Sequence, residues 1–187
     1  MMQTSQATIY ISDKARAKAI SFIRAAEDVK LKAYPDSGGV LTIGYGHVIH
    51  DVDILPPSSP LNCAAMPDRF LQTAAGQRMA ANLVITPAIA EYLLQTDLAL
   101  AAGAVGELSK TVHLNSNQQA ALIALVFNIG VSAFNGSTLI KKIKLNRPIA
   151  EIEHEFLRWR FDNGKENAGL LSRRKAEFTL YVCARDL

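Results

Sequence analysis

The chain has 187 residues, 49% hydrophobic and 20% charged, with a formal net charge of +3; this is the make-up of an ordinary globular protein, long enough for one domain with a sizeable core. No run approaches the roughly 20 apolar residues that a membrane helix needs, and Asp13, Lys14, Arg16 and Lys18 stand where a signal peptide would hold an apolar block. A soluble chain made in the cytoplasm without its own export signal is expected.

In chain order, Ser12 can cap a helix running to about Ala26, with Ala19, Ile20, Ile23 and Ala26 as its apolar stripe and Glu27 at its end. Leu31 to Tyr34 and Val40 to Tyr45 read as short strands joined by a Pro35-Asp36-Ser37-Gly38-Gly39 turn. Leu41, Ile43 and Tyr45 alternate with Thr42, Gly44 and Gly46, so one strand face is apolar and the other offers a hydroxyl beside bare backbone. From His50 to about Asn82 the pattern weakens into turn and breaker residues and then an Ala/Gln-rich stretch with room for a short helix, which reads as an insertion.

Thr86-Pro87 opens a long helix carrying Ile89, Leu93, Leu94, Leu98 and Ala101. Ser116 with Gln119 makes a capping-box pattern ahead of an almost wholly apolar segment, Ala120 to Ile129, the expected buried central helix, which ends at Gly130. Ser137, Pro148 and Ser172 mark three further starts, with Leu139, Ile140, Ile143, Ile152, Phe156, Trp159, Phe178, Tyr181 and Val182 turned inward. The expected architecture is α+β and mostly helical. One domain would contain a small hairpin lobe at about 21–85, with the insertion at 50–82, a helical lobe at about 106–187 and a long helix between. A cleft between lobes suits an extended polymer.

Cys63 and Cys183 are 120 positions apart and fit neither a CxxC site nor a disulfide framework, so reduced structural thiols are expected. His47, His50, His113 and His154 are scattered, and no metal site can be built from them. Residues 1 to 110 hold 9 Lys/Arg against 10 Asp/Glu and residues 111 to 187 hold 11 against 7. The basic C-terminal part, with Lys141, Lys142, Lys144, Arg147, Arg173, Arg174 and Lys175, is either a set of solvated helix faces or a surface for an anionic partner. Nucleic acid is not expected, because no aromatic residues interleave with these cations.

The chemistry-bearing stretch is Glu27 to His47, two carboxylates and a hydroxyl around a turn. Glycosidic bond cleavage needs one carboxylic acid that stays protonated to donate to the leaving oxygen, and a second that stays ionised. Glu27, closing an apolar helix, is the candidate acid. Asp36, in a solvated turn, is the candidate ionised partner, and Thr42 is a candidate to hold the attacking water. His47, closing a glycine-rich strand, is assigned to structure.

Glu27, Asp36 and Thr42 followed by Ile43-Gly44-Tyr45-Gly46-His47 resemble the catalytic segment of the bacteriophage-type lysozymes, the endolysins of glycoside hydrolase family 24. The resemblance continues through Asn117 to Leu122, Phe127-Asn128-Ile129-Gly130, Phe134, Ser137-Thr138-Leu139, Arg158-Trp159 and Gly169 to Arg174. It implies a lysozyme-like fold and a muramidase that cleaves the β-1,4 bond of peptidoglycan with inversion and lyses the host cell. Glu27 would be the acid, Asp36 the base or electrostatic partner, and Thr42 the water holder. It also implies Val48, Phe127 and Ser137 as substrate-binding positions, each of which also reads as plain packing or, for Ser137, as a helix cap. At another cleft position this chain carries Glu153.

No metal or organic cofactor is expected, and a monomer is. A phage-type lysozyme without an export signal would accumulate in the host cytoplasm and reach the wall after another protein permeabilises the membrane. Two other readings stay open. A lytic transglycosylase needs a single carboxylate and releases an anhydro sugar. A cationic protein could disrupt an anionic outer membrane through the basic C-terminal helices without catalysis.

Overall fold

The computed structural model describes residues 10–54 and 69–183; Cys63 and the middle of the expected insertion lie outside the described residues. Ser12 starts α1 (Asp13–Ala26) as expected, its hydroxyl accepting from the Ala15 amide at 3.1 Å. The buried stripe is Ala15, Ala19 and Ile23, whereas Ile20 is half-buried and Ala26 exposed, because the helix turns a narrower face inward than the apolar residues suggested. Contacts divide the chain into two units, residues 27–97 and the remainder. The small unit thus begins after α1, where the sequence suggested a start near residue 21.

In the small unit, β1 (Lys30–Pro35), β2 (Leu41–Gly44) and β3 (His47–Val48) form an antiparallel sheet in the order β1-β2-β3. The third strand was not anticipated: two residues are too short for any periodicity to show. Leu31, Ala33, Leu41 and Ile43 pack on a core of Ile49, Leu71, Ala80, Ile85, Ala90 and Leu93. Strand alternation therefore sends Thr42 to the opposite face.

The described ends of the insertion are better built than its composition implied. It starts with α2 (Asp51–Ile54) and ends with α3 (Ala74–Ala81), capped by Thr73. Asp51, 5% exposed, accepts from the amides of Phe70 (3.0 Å) and Leu71 (2.9 Å) and so pins the two ends of the insertion together. Gly76 has no alternative, since a Cβ there would lie 2.0 Å from the Phe70 carbonyl oxygen.

The Thr86 hydroxyl caps α4 (Pro87–Ser109), accepting from the Ile89 amide at 3.3 Å, and Ile89 itself points outward at 45% exposure. By length and composition α4 is apolar enough to cross a membrane, although Glu91, Asp97 and Glu107 interrupt it, so it is not the unbroken apolar run looked for in the sequence. Its apolar window is 33% buried, and a buried helix in a globular core has the same composition.

In the larger unit, α5 (Ser116–Ile129) is the buried central helix, with α1 and α9 (Ala168–Val182) packed on it. Its capping box is Asn115 with Gln118, one residue before the expected pair. Gln119 instead donates to the Tyr10 carbonyl at 2.7 Å, which ties α5 to the start of the described chain. Between α5 and α9 come α6 (Val131–Asn135), α7 (Thr138–Lys144), α8 (Ile149–Leu157), a 3-10 turn at Arg158–Arg160, and the hairpin β4 (Phe161–Asp162) and β5 (Lys165–Glu166). The last helix begins at Ala168 behind the cap Asn167, not at Ser172, which lies in its second turn. Phe156 and Tyr181 fill this core, while Val182 is 45% exposed. Cys183 is a free thiol, as expected, but it is exposed, so a structural role is not what it has.

Candidate active site

Glu27 is half-buried immediately after the last turn of α1. Asp36 closes the hairpin turn: its Oδ1 accepts from the amides of Gly38 (2.9 Å) and Val40 (2.8 Å), and its own amide donates to the Val40 carbonyl at 2.9 Å. Gly39 takes the positive φ of 81° that lets the turn reverse this tightly. The Asp36 carboxylate is thereby fixed through one oxygen, and its exposed position leaves the other to solvent.

Thr42 is the centre of a cross-strand row, paired with Tyr34 on one side and Val48 on the other. Directly paired residues project to the same sheet face, so these three side chains stand abreast. Thr42 is only 3% exposed, more enclosed than strand alternation suggested. Its hydroxyl donates to the Val40 carbonyl at 3.0 Å and lies 3.4 Å from the Tyr34 carbonyl. Val48 is 40% exposed.

His47 is held on both ring nitrogens. Nδ1 donates to Asp97 at 2.9 Å and Nε2 to Asp53 at 3.3 Å, with the His50 amide also donating to Asp53 at 2.6 Å. Burial alone would depress the imidazole pKa, but hydrogen bonds and charge from Asp53 and Asp97 outweigh it and raise the value to about 9. Burial likewise pushes the Asp53 carboxyl up, and its bonds to His47 and the His50 amide bring the net shift down. His47 is thus an imidazolium that ties α2 and α4 to the sheet, consistent with a structural assignment.

Phe127 and Ser137 belong to the larger unit. Phe127 is half-buried, in the last turn of α5, where it is less enclosed than the core residue its sequence context suggests. Ser137 caps α7, accepting from the Ile140 amide at 3.4 Å, and also lines a cavity of about 380 Å³ with Ser132, Gly136, Glu155, Arg158 and Trp159. Trp159 is therefore a cavity wall as well as a packing residue. Glu155, 4% exposed, is bonded by Lys142 (2.7 Å), Arg158 (3.2 Å) and the Thr138 hydroxyl. Burial raises its carboxyl pKa, and these partners more than reverse that, down to about 2. Glu153 is exposed on α8.

Sequence reasoning did not place Tyr34 beside Thr42 or Glu155 in this cavity, and it read Arg158 only as part of the family resemblance. Tyr34 could have been found from strand pairing across the turn. Glu155 and Arg158 pair with each other at i,i+3, but that spacing alone does not mark them, because their other partners, Thr138 and Lys142, come from α7. Among the described residues no group of three or more His, Cys, Asp or Glu is arranged to hold a metal.

The profile of the family described as phage lysozyme matches residues 24–177. The chain belongs to the phage lysozyme family. Its relatives include the endolysin of Salmonella phage P22, 34% identical over 89% of this chain and 96% of the relative, and that of the Acyrthosiphon pisum secondary endosymbiont phage 1, 33% identical over 89% and 97%. Among solved structures, a P22 lysozyme mutant is 30% identical over 98% of this chain and all of its own, with a TM-score of 0.57. The muramidase domain of SpmX from Asticaccaulis excentricus is 26% identical over 93% and 98%, with a TM-score of 0.63. A phage lysozyme is a glycoside hydrolase, and its mostly helical α+β fold with small antiparallel sheets is the lysozyme fold.

Proposed function

We propose that this phage lysozyme hydrolyses the β-1,4 bond between N-acetylmuramic acid and N-acetylglucosamine, with Glu27 as general acid, Asp36 as base or electrostatic partner and Thr42 as holder of the water. The observation that carries the reading is the geometry of the hairpin. It fixes one Asp36 oxygen on two amides, leaves the carboxylate facing solvent, and commits the Thr42 proton to a carbonyl. A water that attacks C1 must donate its protons and keep a lone pair for the carbon. A carboxylate and a hydroxyl whose own proton is engaged elsewhere both accept from such a water.

Val48, Phe127 and Ser137 are the proposed sugar-contacting positions, supported by the exposure of Val48 and Phe127 and by the cavity at Ser137. The two units act as one catalytic domain on peptidoglycan, the protein acts as a monomer, and it reaches the wall from the cytoplasmic side after membrane permeabilisation. An anionic outer-membrane surface is a weaker partner than the sequence suggested. Arg173 and Arg174 are paired with Glu177, Arg174 is fully buried, Lys142 pairs with Glu155, and Arg147, though exposed, pairs with Glu151, which leaves Lys141, Lys144 and Lys175 as the other exposed cations of that set.

The test is reducing-end release from purified peptidoglycan, with mass spectrometry of the products. Wild type is expected to give reducing muropeptides and Glu27→Gln none, with the fold retained. Anhydro ends would instead make the protein a transglycosylase, and lysis retained by Glu27→Gln would point to envelope disruption without catalysis.

A further inference from the structure

Arg158 offers more hydrogen bonds than its surroundings take up. Both of its bonds leave from one nitrogen: Nη1 donates to Glu155 and to the Thr138 hydroxyl, each at 3.2 Å, and the Thr138 hydroxyl bonds the same Glu155 oxygen. A guanidinium carries five N–H groups, and among the described residues the three on Nε and Nη2 meet no acceptor. Nε–H and Nη2–H lie side by side in one plane, the spacing that fits both oxygens of a carboxylate. This free edge belongs to a side chain that is 56% exposed and lines the cavity of about 380 Å³ with Ser132, Ser137 and Trp159.

The charges around it are not balanced. Lys142, Arg147 and Arg158 share two carboxylates, Glu151 and Glu155, and His154, 3.7 Å from Glu155, adds to the positive side whenever it is protonated. Of the three permanent cations only Arg158 lines the cavity, and Glu153, an exposed carboxylate on the same helix, does not line it. An anion entering the cavity therefore meets one surplus positive charge presented on a two-pronged edge. That edge is also held still. Glu155 is 4% exposed and anchors Nη1, so part of the cost of ordering a long side chain is met before a ligand arrives.

Peptidoglycan offers a carboxylate in one kind of place. The lactyl acid of intact N-acetylmuramic acid is consumed in the amide that carries the peptide stem, so the free carboxylates belong to the stem. We propose that Arg158 is a specificity-determining residue of this lysozyme: its Nε and Nη2 edge binds a free carboxylate of the peptide stem, next to the sugar at Ser137. The proposal rests on the peptidoglycan hydrolysis proposed above, with Ser137 as a sugar-contacting position. Arg158 takes no part in bond cleavage. It selects strands whose stems are present and ionised.

The experiment measures reducing-end release on three forms of purified peptidoglycan: intact, with its carboxyl groups converted to amides, and stripped of stems by an amidase, which frees the lactyl carboxylates. Wild type should show a KM roughly 3- to 10-fold higher on the amidated and stripped polymers with kcat unchanged, the size expected of a bidentate charge-assisted pair half open to solvent. Arg158→Gln should show the higher KM already on intact polymer and no further rise on the other two. Arg158→Lys, which keeps the charge without the fork, should lose most of the discrimination. Lys142 and Thr138 still hold Glu155 in both variants, so melting should shift little. Lys175→Gln, which removes an exposed cation on α9, should discriminate as wild type does. Equal wild-type KM on intact and amidated polymer, a comparison that needs no variant to fold, would overturn the proposal. So would discrimination kept by Arg158→Gln, or lost equally in Lys175→Gln, which is what general attraction to an anionic wall would produce. Stripped polymer bound as tightly as intact would move the contact to the lactyl group and overturn the stem assignment. Activity retained by Glu27→Gln would instead remove the underlying hydrolase reading, whatever the KM ratios.

Discussion

Among the enclosed charges of this lysozyme, one in each unit sits between oppositely charged partners at the junction of several elements, and these two are opposite in sign. In the small unit the imidazolium of His47 sits between the carboxylates of Asp53 and Asp97; in the larger unit the carboxylate of Glu155 sits among Lys142, Arg158 and the Thr138 hydroxyl. The first ties α2 and α4 to the sheet, the second ties α7 to α8. A charge taken from water stabilises only while it stays charged and paired. The His47 and Glu155 clusters therefore lose their pairing at opposite ends of the pH scale.

The largest expected effect is on the alkaline side. The folded His47 pKa, about 9, lies above its ordinary 6.5, so its contribution is fully present below pH 6.5 and is lost as pH rises toward 9. For a side chain this enclosed the loss amounts to about 3 kcal/mol. Thermal melting from pH 6 to 10 should show that decline in wild type and a flat curve in an Asp53→Asn/Asp97→Asn variant already destabilised at pH 6. A wild-type curve as flat as the variant's would mean the imidazole is not charged by its neighbours.

Glu155 should act in the reverse sense and more weakly. Its folded pKa, about 2, lies below the ordinary 4.5, so its contribution is present above pH 4.5 and is lost as pH falls toward 2. Its partner Arg158 is 56% exposed, and solvent screening there reduces the expected loss to about 1–2 kcal/mol. Glu155→Gln should remove that part of the acid limb while leaving the alkaline limb as in wild type. The smallest effect belongs to Arg147. Its pair with Glu151 at 2.9 Å is solvent-exposed on the same helix pair, and Arg147→Ala should leave melting unchanged at both ends of the range. A clear drop would show that surface pairing, and not enclosure, sets the contrast.

The site was partly legible for a local reason. Asp36 and its amide partners lie within five residues of one another, and a turn rich in glycine after a proline and an aspartate has few ways to fold. The caps at Ser12, Thr86 and Ser137 are equally local. Where several polar residues compete, the choice slips: Asn115 rather than Ser116 caps α5, and Asn167 rather than Ser172 caps α9. Patterns of that kind name a region, and the backbone then selects whichever side chain reaches the free amides.

By itself the sequence determined the helical character of the chain, the hairpin with its carboxylate turn, the buried central helix and the resemblance that pointed to a lysozyme. Each depends on periodicity or on neighbours a few residues apart. Only the tertiary structure decided that Asp51 closes the insertion onto Phe70 and Leu71, that Asp97 reaches His47, and that Arg174 is buried against Glu177 and Asn128. Most of these contacts join residues far apart in the chain. A buried charge is set by which partner the fold brings within about 3 Å, and no spacing rule in the sequence encodes that.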